Sequence, residues 1–245
     1  PSDKSRGVIS IRTPNGEISQ DPATIADTLN AQFSSVGTPD QQAWIVPPVQ
    51  LHPAIGSALS RFSTSSSAVA SCLREIAPKK APGYDGLSNS VLKSLSSSLC
   101  FPLAYIFNLS FRSGKFPAAW KFATVTPIYK NKGEKVDPAN YRPISLLSAL
   151  SKVCERVAYN QLYEHIKLAI SPKQSGFCRG DSTSLQLTSI VQDLYDRKHN
   201  GSHIGICFFD LAKAFDSVWH RGLLTKLERC YSVADSALQW LQSYL

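Results

Sequence analysis

Ile204-Gly205-Ile206-Cys207-Phe208-Phe209 is an apolar run that ends on an acid, Asp210, and Leu211-Ala212-Lys213-Ala214-Phe215-Asp216 follows at once. The run is too short to span a membrane and stands behind the breaker Asn200-Gly201, so it predicts a buried central strand. A carboxylate at the carboxyl end of such a strand projects into the crevice where ligands bind, and it needs a cation or a donor to compensate it there. Asp210 is therefore a candidate metal ligand. The competing reading makes Asp210 the N-cap of a helix beginning at Leu211. A second segment with chemical potential is Lys79-Lys80-Ala81-Pro82-Gly83-Tyr84-Asp85-Gly86. Two lysines, then glycines that let backbone N–H groups approach an anion, suit contact with a phosphate backbone. A surface turn with two solvated lysines has the same composition.

Four segments together carry a resemblance. The stretch from Phe208 to His220 resembles the first catalytic motif of non-LTR (LINE-type) retrotransposon reverse transcriptases, and residues 79–86 are similar to the K-A-P-G-x-D-G segment of that family. Pro127-Ile128-Tyr129-Lys130, with Asn140-Tyr141-Arg142-Pro143-Ile144-Ser145-Leu146 after it, resembles P-I-x-K…N-Y-R-P-I-S-L. Pro172 to Thr183 resembles Q-x-G-F-R-x-G-x-S-T, except that Cys178 occupies the usual Arg place and Arg179 stands one position later. The segments follow the family's order across roughly residues 77–230.

The resemblance implies roles. Asp210 and the adjoining Leu211 become the metal position, and Phe215 the gate that excludes ribonucleotides. Lys130 and Arg142 would grip the triphosphate of the incoming nucleotide, because phosphoryl transfer builds charge on oxygens that fixed cations stabilise. The alternative for Arg142 is a packed turn in which it pairs with a carboxylate. Lys79, Lys80, Gly83, Gln174, Gly176, Phe177 and Arg179 would face template and nucleotide, although Ser182 and Thr183 are also sufficient as a helix N-cap. Two-metal transfer needs at least two carboxylates around a pair of Mg²⁺ ions about 3.5–4 Å apart. In the family the others come from an aromatic-x-Asp-Asp hairpin, and this chain holds no Asp-Asp pair. Asp216 and Asp235, the Asp residues after Asp210, read as a structural hydrogen-bond acceptor and a helix cap.

The expectation is thus an α+β chain, helix-rich with a small antiparallel sheet: polymerase right-hand fingers and an incomplete palm, ending before the Asp-Asp motif and the thumb. The parent would be an RNA-directed DNA polymerase using Mg²⁺, template RNA, primer DNA and deoxynucleoside triphosphates, in the nucleus and cytoplasm of a eukaryotic host. This portion alone would be inactive. A non-catalytic remnant that binds RNA is the alternative, and a metal phosphohydrolase built on Asp210 is a poor third reading, since a D-x-D arrangement would need an Asp where Ala212 stands.

Composition agrees with a polyanionic partner. Of the 26 basic and 18 acidic residues, residues 1–76 hold 5 and 6, so the excess of +8 lies entirely in residues 77–245. Such a bias favours nucleic acid over membrane, since no basic amphipathic helix stands out. The six cysteines are too widely spaced for a zinc site or a compact disulfide framework and read as reduced thiols. No run approaches a membrane span and no apolar leader opens the chain, which favours an intracellular setting. With no Met anywhere, the ends read as those of a fragment.

The elements that must position these residues follow from periodicity and punctuation. Residues 1–65 read as an extension: a loose stretch or small hairpin around Pro14-Asn15-Gly16, a helix from Asp21-Pro22 to about Val36, and a Pro- and Ser-rich linker. From residue 66 the chain predicts a short helix through Val69, Leu73 and Ile76, then helices over 89–99 and 103–112, and a strand over 121–130. Further helices are predicted over 148–167, with the stripe Leu150, Val153, Val157, Leu162 and Ile166, and over 183–197, carried by Leu187, Ile190, Val191 and Leu194. Two more are predicted near 221–230 and 236–245.

Overall fold

Caps and apolar stripes set the helices. The computed structural model describes residues 7–35, 50–201, 203–211 and 213–245. The first helix, α1 (Pro22–Ser34), starts where the Asp21 carboxylate accepts the Thr24 N–H at 2.8 Å, with proline at its first position. Val36 and the prolines 39, 47 and 48 lie outside the described residues. Ser65 caps α2 (Ser66–Glu75) through the Ala68 N–H, and Ser88 caps α3 (Asn89–Ser94) through the Val91 N–H. These are side-chain acceptors for N–H groups that a helix start leaves without partners.

The break between the third and fourth helices falls earlier than the sequence suggests. Leu95 interrupts the chain, and α4 (Ser96–Ser113) then runs through Pro102 to the left-handed Gly114. Proline removes one helical hydrogen bond. Burial of Cys100, Leu103, Ala104, Phe107 and Phe111 on one face of this helix outweighs that loss.

Residues Ala123–Tyr129 form β3 and Tyr141–Leu147 form β4, an antiparallel pair in register from Ala123 opposite Leu147 to Tyr129 opposite Tyr141. A smaller hairpin pairs β1 (Ile11–Arg12) with β2 (Ile18–Ser19). The remaining helices are α5 (Ala149–Ile166), α6 (Thr183–His199), α7 (His220–Tyr231) and α8 (Asp235–Tyr244). Asp235 is the first residue of α8 and Ala234 stands at its cap, so the expected capping carboxylate is not one.

The main core lies between α2, α4, α5, α7 and α8. Trp240 is at its centre, with the rings of Phe62, Phe111 and Phe116 at 5.3–5.5 Å and its indole N–H donating to Ser110 Oγ at 2.9 Å. Leu59 and Phe62, within the stretch read as linker, belong to this core, and Leu59 bridges to Val233. A second, smaller cluster of Ile11, Ile25, Leu29 and Tyr141 joins the N-terminal hairpin and α1 to the β3–β4 hairpin. The stripe of α5 is buried as expected at Val153 and Val157, whereas α6 buries no residue at all.

The central strand predicted over residues 204–210 does not form. Residues 203–211 are irregular and exposed, with Phe208 84% and Phe209 90% accessible. A strand exists only by sharing its backbone hydrogen bonds with a neighbour. No described strand lies beside this segment.

Candidate active site

The β3–β4 hairpin places the two basic residues of its motifs. Arg142 is directly opposite Ile128, and Lys130 follows one step beyond the end of β3. Alternation along strands puts positions 128, 130 and 142 on one side and Tyr129 and Tyr141 on the other. The tyrosine side faces the small core, which leaves Lys130 and Arg142 exposed together on the open side. The Lys130 ammonium donates to the Ala139 carbonyl at 2.6 Å, and no described carboxylate forms a salt bridge with Arg142.

The connecting loop is rigidly tied. Lys130 N–H donates to the Asn140 carbonyl at 2.8 Å, Asn140 Nδ2 donates to the Glu134 carbonyl at 3.0 Å, and the Tyr141 hydroxyl donates to the Lys135 carbonyl at 2.6 Å. Burial, then the neighbouring Tyr129, raises the Tyr141 pKa and keeps the hydroxyl a donor. Gly133 has φ +76°, and a side chain there would collide with Asn140. From outside the hairpin Arg12 reaches Glu134 at 2.8 Å.

The 79–86 loop has a different construction from the one its composition suggests. Lys79 and Lys80 are exposed, as a backbone-contacting pair must be. Gly83, however, lies against chain rather than open space: a Cβ there would come within 2.6 Å of the Leu147 carbonyl carbon and the Ser148 nitrogen. Asp85 completes the lock by accepting from the fully buried Ser148 hydroxyl at 2.5 Å. Ser148 Oγ in turn accepts the Leu150 N–H at the start of α5. Gly83 and Asp85 therefore fasten the lysine-bearing loop to the junction of β4 and α5. Sequence reading missed Asp85, although an Asp beside the glycines of a tight loop is itself a turn-building signal.

The 171–182 segment is a chain of turns between α5 and α6. Gln174 Nε2 donates to the Gly176 carbonyl at 2.9 Å, and Cys178 N–H to the Ser175 carbonyl at 3.2 Å. Phe177 is held at φ +63°. That conformation costs an aromatic residue about 1–3 kcal/mol. Its ring is 87% exposed and meets the ring of Phe215 edge-on at 5.7 Å. Arg179 turns back onto α5, stacking over Tyr163 at 5.2 Å and Tyr159 at 5.9 Å and donating to Asn160 Oδ1 at 2.9 Å. The two tyrosines were not singled out from the sequence, yet a spacing of four within a predicted helix puts them on one face.

Asp210 is at the surface, between the exposed Phe209 and Leu211, and Ala212 lies outside the described residues. It does not cap a helix: the following residues form a turn over 213–217 in which the Asp216 N–H donates to the Lys213 carbonyl. Among the described residues no group of three or more His, Cys, Asp or Glu side chains could hold a metal ion, so Asp210 is not part of such a cluster there. The structure thus gathers Lys130 with Arg142 and Phe177 with Phe215, and among the described residues it builds no three-ligand cluster around Asp210.

Residues 128–245, from the hairpin to the last helix, match the family model described as reverse transcriptase (RNA-dependent DNA polymerase). This stretch belongs to the reverse transcriptase family. The chain is 33% identical over 179 residues to the "Probable RNA-directed DNA polymerase from transposon BS" of Drosophila melanogaster, covering 72% of this chain and 20% of that protein. It is 32% identical over 209 residues to the "RNA-directed DNA polymerase from mobile element jockey" of Drosophila funebris, covering 84% and 23%. Against the jockey polymerase of D. melanogaster the identity is 38% over 155 residues, 62% and 17% of the two chains. The reverse transcriptase sequence is therefore of the non-LTR kind, and the chain spans about a fifth of the length of these relatives. Among the described residues no helix is long and apolar enough to cross a membrane.

Proposed function

We propose that the chain is the fingers and partial palm of a non-LTR retrotransposon polymerase that extends a DNA 3′ end along element RNA. The fingers and partial palm occupy residues 66–245, and residues 1–65 are an N-terminal extension with one helix, of which Leu59 and Phe62 pack into the main core. Lys130 and Arg142 grip the triphosphate of a deoxynucleotide, and Phe215 checks its sugar. Lys79, Lys80, Gln174, Gly176 and Phe177 border the template RNA, primer DNA and nucleotide, while Gly83, packed on the Leu147–Ser148 backbone, and Arg179, held by Tyr159, Tyr163 and Asn160, fix the two loops that carry them. The compartments are the nucleus and cytoplasm of a eukaryotic host. What supports this most is that two cations from the two strands of one motif stand exposed on one side of a single well-tied hairpin. A fixed pair of donors is what a transferring phosphoryl group requires.

Reverse transcriptases generally use divalent metal ions, with Mg²⁺ the ion proposed here. Asp210 and Leu211 mark its position, and other carboxylates of the complete polymerase would have to finish the site. Asp210→Asn in the full-length parent should lower primer extension by at least a hundredfold while RNA affinity stays within about twofold, and the chain of 245 residues by itself should extend nothing. Undiminished extension by the variant removes Asp210 from the metal position. A second reading, a non-catalytic RNA-binding remnant, is favoured by the absence of a three-ligand cluster around Asp210 among the described residues and by Cys178 in place of the usual Arg. It predicts RNA binding and no synthesis even in the parent.

A further inference from the structure

Phe215 is reached by one other described aromatic ring, that of Phe177. Phe177 sits in a left-handed backbone conformation on a segment whose neighbouring hydrogen bonds are local to residues 174–178. Such bonds shape the turn without fixing where it stands on the protein. The tie to the rest of the fold comes two residues later, where Arg179 spans the ring faces of Tyr159 and Tyr163 and bonds Asn160. Tyr159 and Tyr163 are themselves stacked at 5.8 Å, and the Arg156 guanidinium also lies over Tyr159, at 5.5 Å. Those residues belong to α5, whose opposite face is buried in the main core, so the guanidinium is anchored to a rigid element.

We propose that Arg179 is a positioning residue for sugar selection: by stacking on Tyr159 and Tyr163 it sets Phe177 against Phe215 and so fixes the ring that excludes ribonucleotides. The inference rests on the reading of Phe215 as that ring. It gives Arg179 a task different from contact with template or nucleotide, since its guanidinium plane and one N–H are already engaged within the chain. A planar cation is suited to this place because it can lie on two rings and still donate in its own plane. Arg one place earlier would sit at residue 178, whose side chain points back to the Gln174 carbonyl.

The test is made in the full-length polymerase. Arg179→Ala should reduce the preference for deoxynucleoside over ribonucleoside triphosphates about three- to tenfold, the range that one aromatic contact supports, with template RNA affinity changed less than twofold. The double change Tyr159→Ala with Tyr163→Ala should give the same loss, and Arg179→Lys should retain part of the preference. Hydrogen exchange at residues 174–178 should quicken in Arg179→Ala and supplies an answer even where synthesis is too slow to measure. An unchanged preference, an RNA affinity that falls instead, or unchanged exchange overturns the proposal. Phe215→Ala separates the two ideas: if that change itself leaves the preference intact, the gate reading has failed, whereas a lost preference there with none in Arg179→Ala refutes the positioning role of Arg179.

Discussion

At the scale of the residue, the most informative contact is that between Asp85 and Ser148, which joins segments 63 positions apart. Ser148 is fully buried and caps α5, so its hydroxyl needs an acceptor that only the incoming loop supplies. Removing a charged acceptor from a buried donor costs about 1–3 kcal/mol. Asp85→Ala should therefore lower the urea midpoint by an amount equivalent to about 1–2 kcal/mol, and an unchanged midpoint would show that the bond carries no stability. The sequence showed the lysines and glycines of this loop but not its lock. A hydrogen bond between residues so far apart leaves no local pattern, and Gly83 reads equally well as open to an anion or as pressed against a neighbouring backbone.

At the scale of the element, local signals were read well and pairing signals were not. Helices with polar caps and buried stripes, such as α5, fell within a residue or two of expectation, because cap and stripe are both written within one turn or two of chain. Periodicity assigns no strand to β4, and Asn140-Tyr141-Arg142-Pro143 reads as a packed turn in the competing account of Arg142; Pro138 and Pro143 punctuate that stretch as a turn would. The predicted strand ending at Asp210 failed for the converse reason: its composition is that of a buried strand, but composition cannot supply the neighbour. Cys207 lies in that segment and is exposed, whereas Cys72, Cys100 and Cys154 are buried, burial raising the thiol pKa of Cys72 and, more strongly, of Cys154. In the isolated chain a maleimide at neutral pH should label Cys207 rapidly and Cys154 only on unfolding. If further sheet covers this segment in the full-length protein, Cys207 there should be protected at least tenfold; equal labelling in both would argue against that cover.

At the scale of the whole molecule, α8 closes the main core, and one group on it ties stability to pH. Burial, with the Glu155 carboxylate beside it, pushes the Tyr244 phenol up to about 12 from its ordinary 10. A raised pKa means that the folded chain holds the proton more tightly than the unfolded chain. The contribution is therefore complete below about pH 10 and is lost as pH rises toward about 12. Tyr244 stacks on Trp240 and packs edge-on against Phe116, so its ionisation should loosen α8. Tyr244→Phe should flatten the stability curve over that interval, followed by the fluorescence of buried Trp240. A variant that falls as steeply as the parent would assign the alkaline loss elsewhere. The class, helix-rich α+β with small antiparallel sheets, was legible from the order of elements. The union of residues 59–62 with residues 227–241 was not, because it rests on contacts across most of the chain.

That union has a consequence for how the chain is made. Phe62 and Phe111 emerge from a ribosome long before Trp240, the indole that covers them both. Until translation has passed the last helix, the early helices hold a greasy surface with nothing to shield it, and they depend on chaperones or on mutual collapse during that interval. A nascent chain halted ahead of Trp240 would remain sticky however completely its first helices had formed.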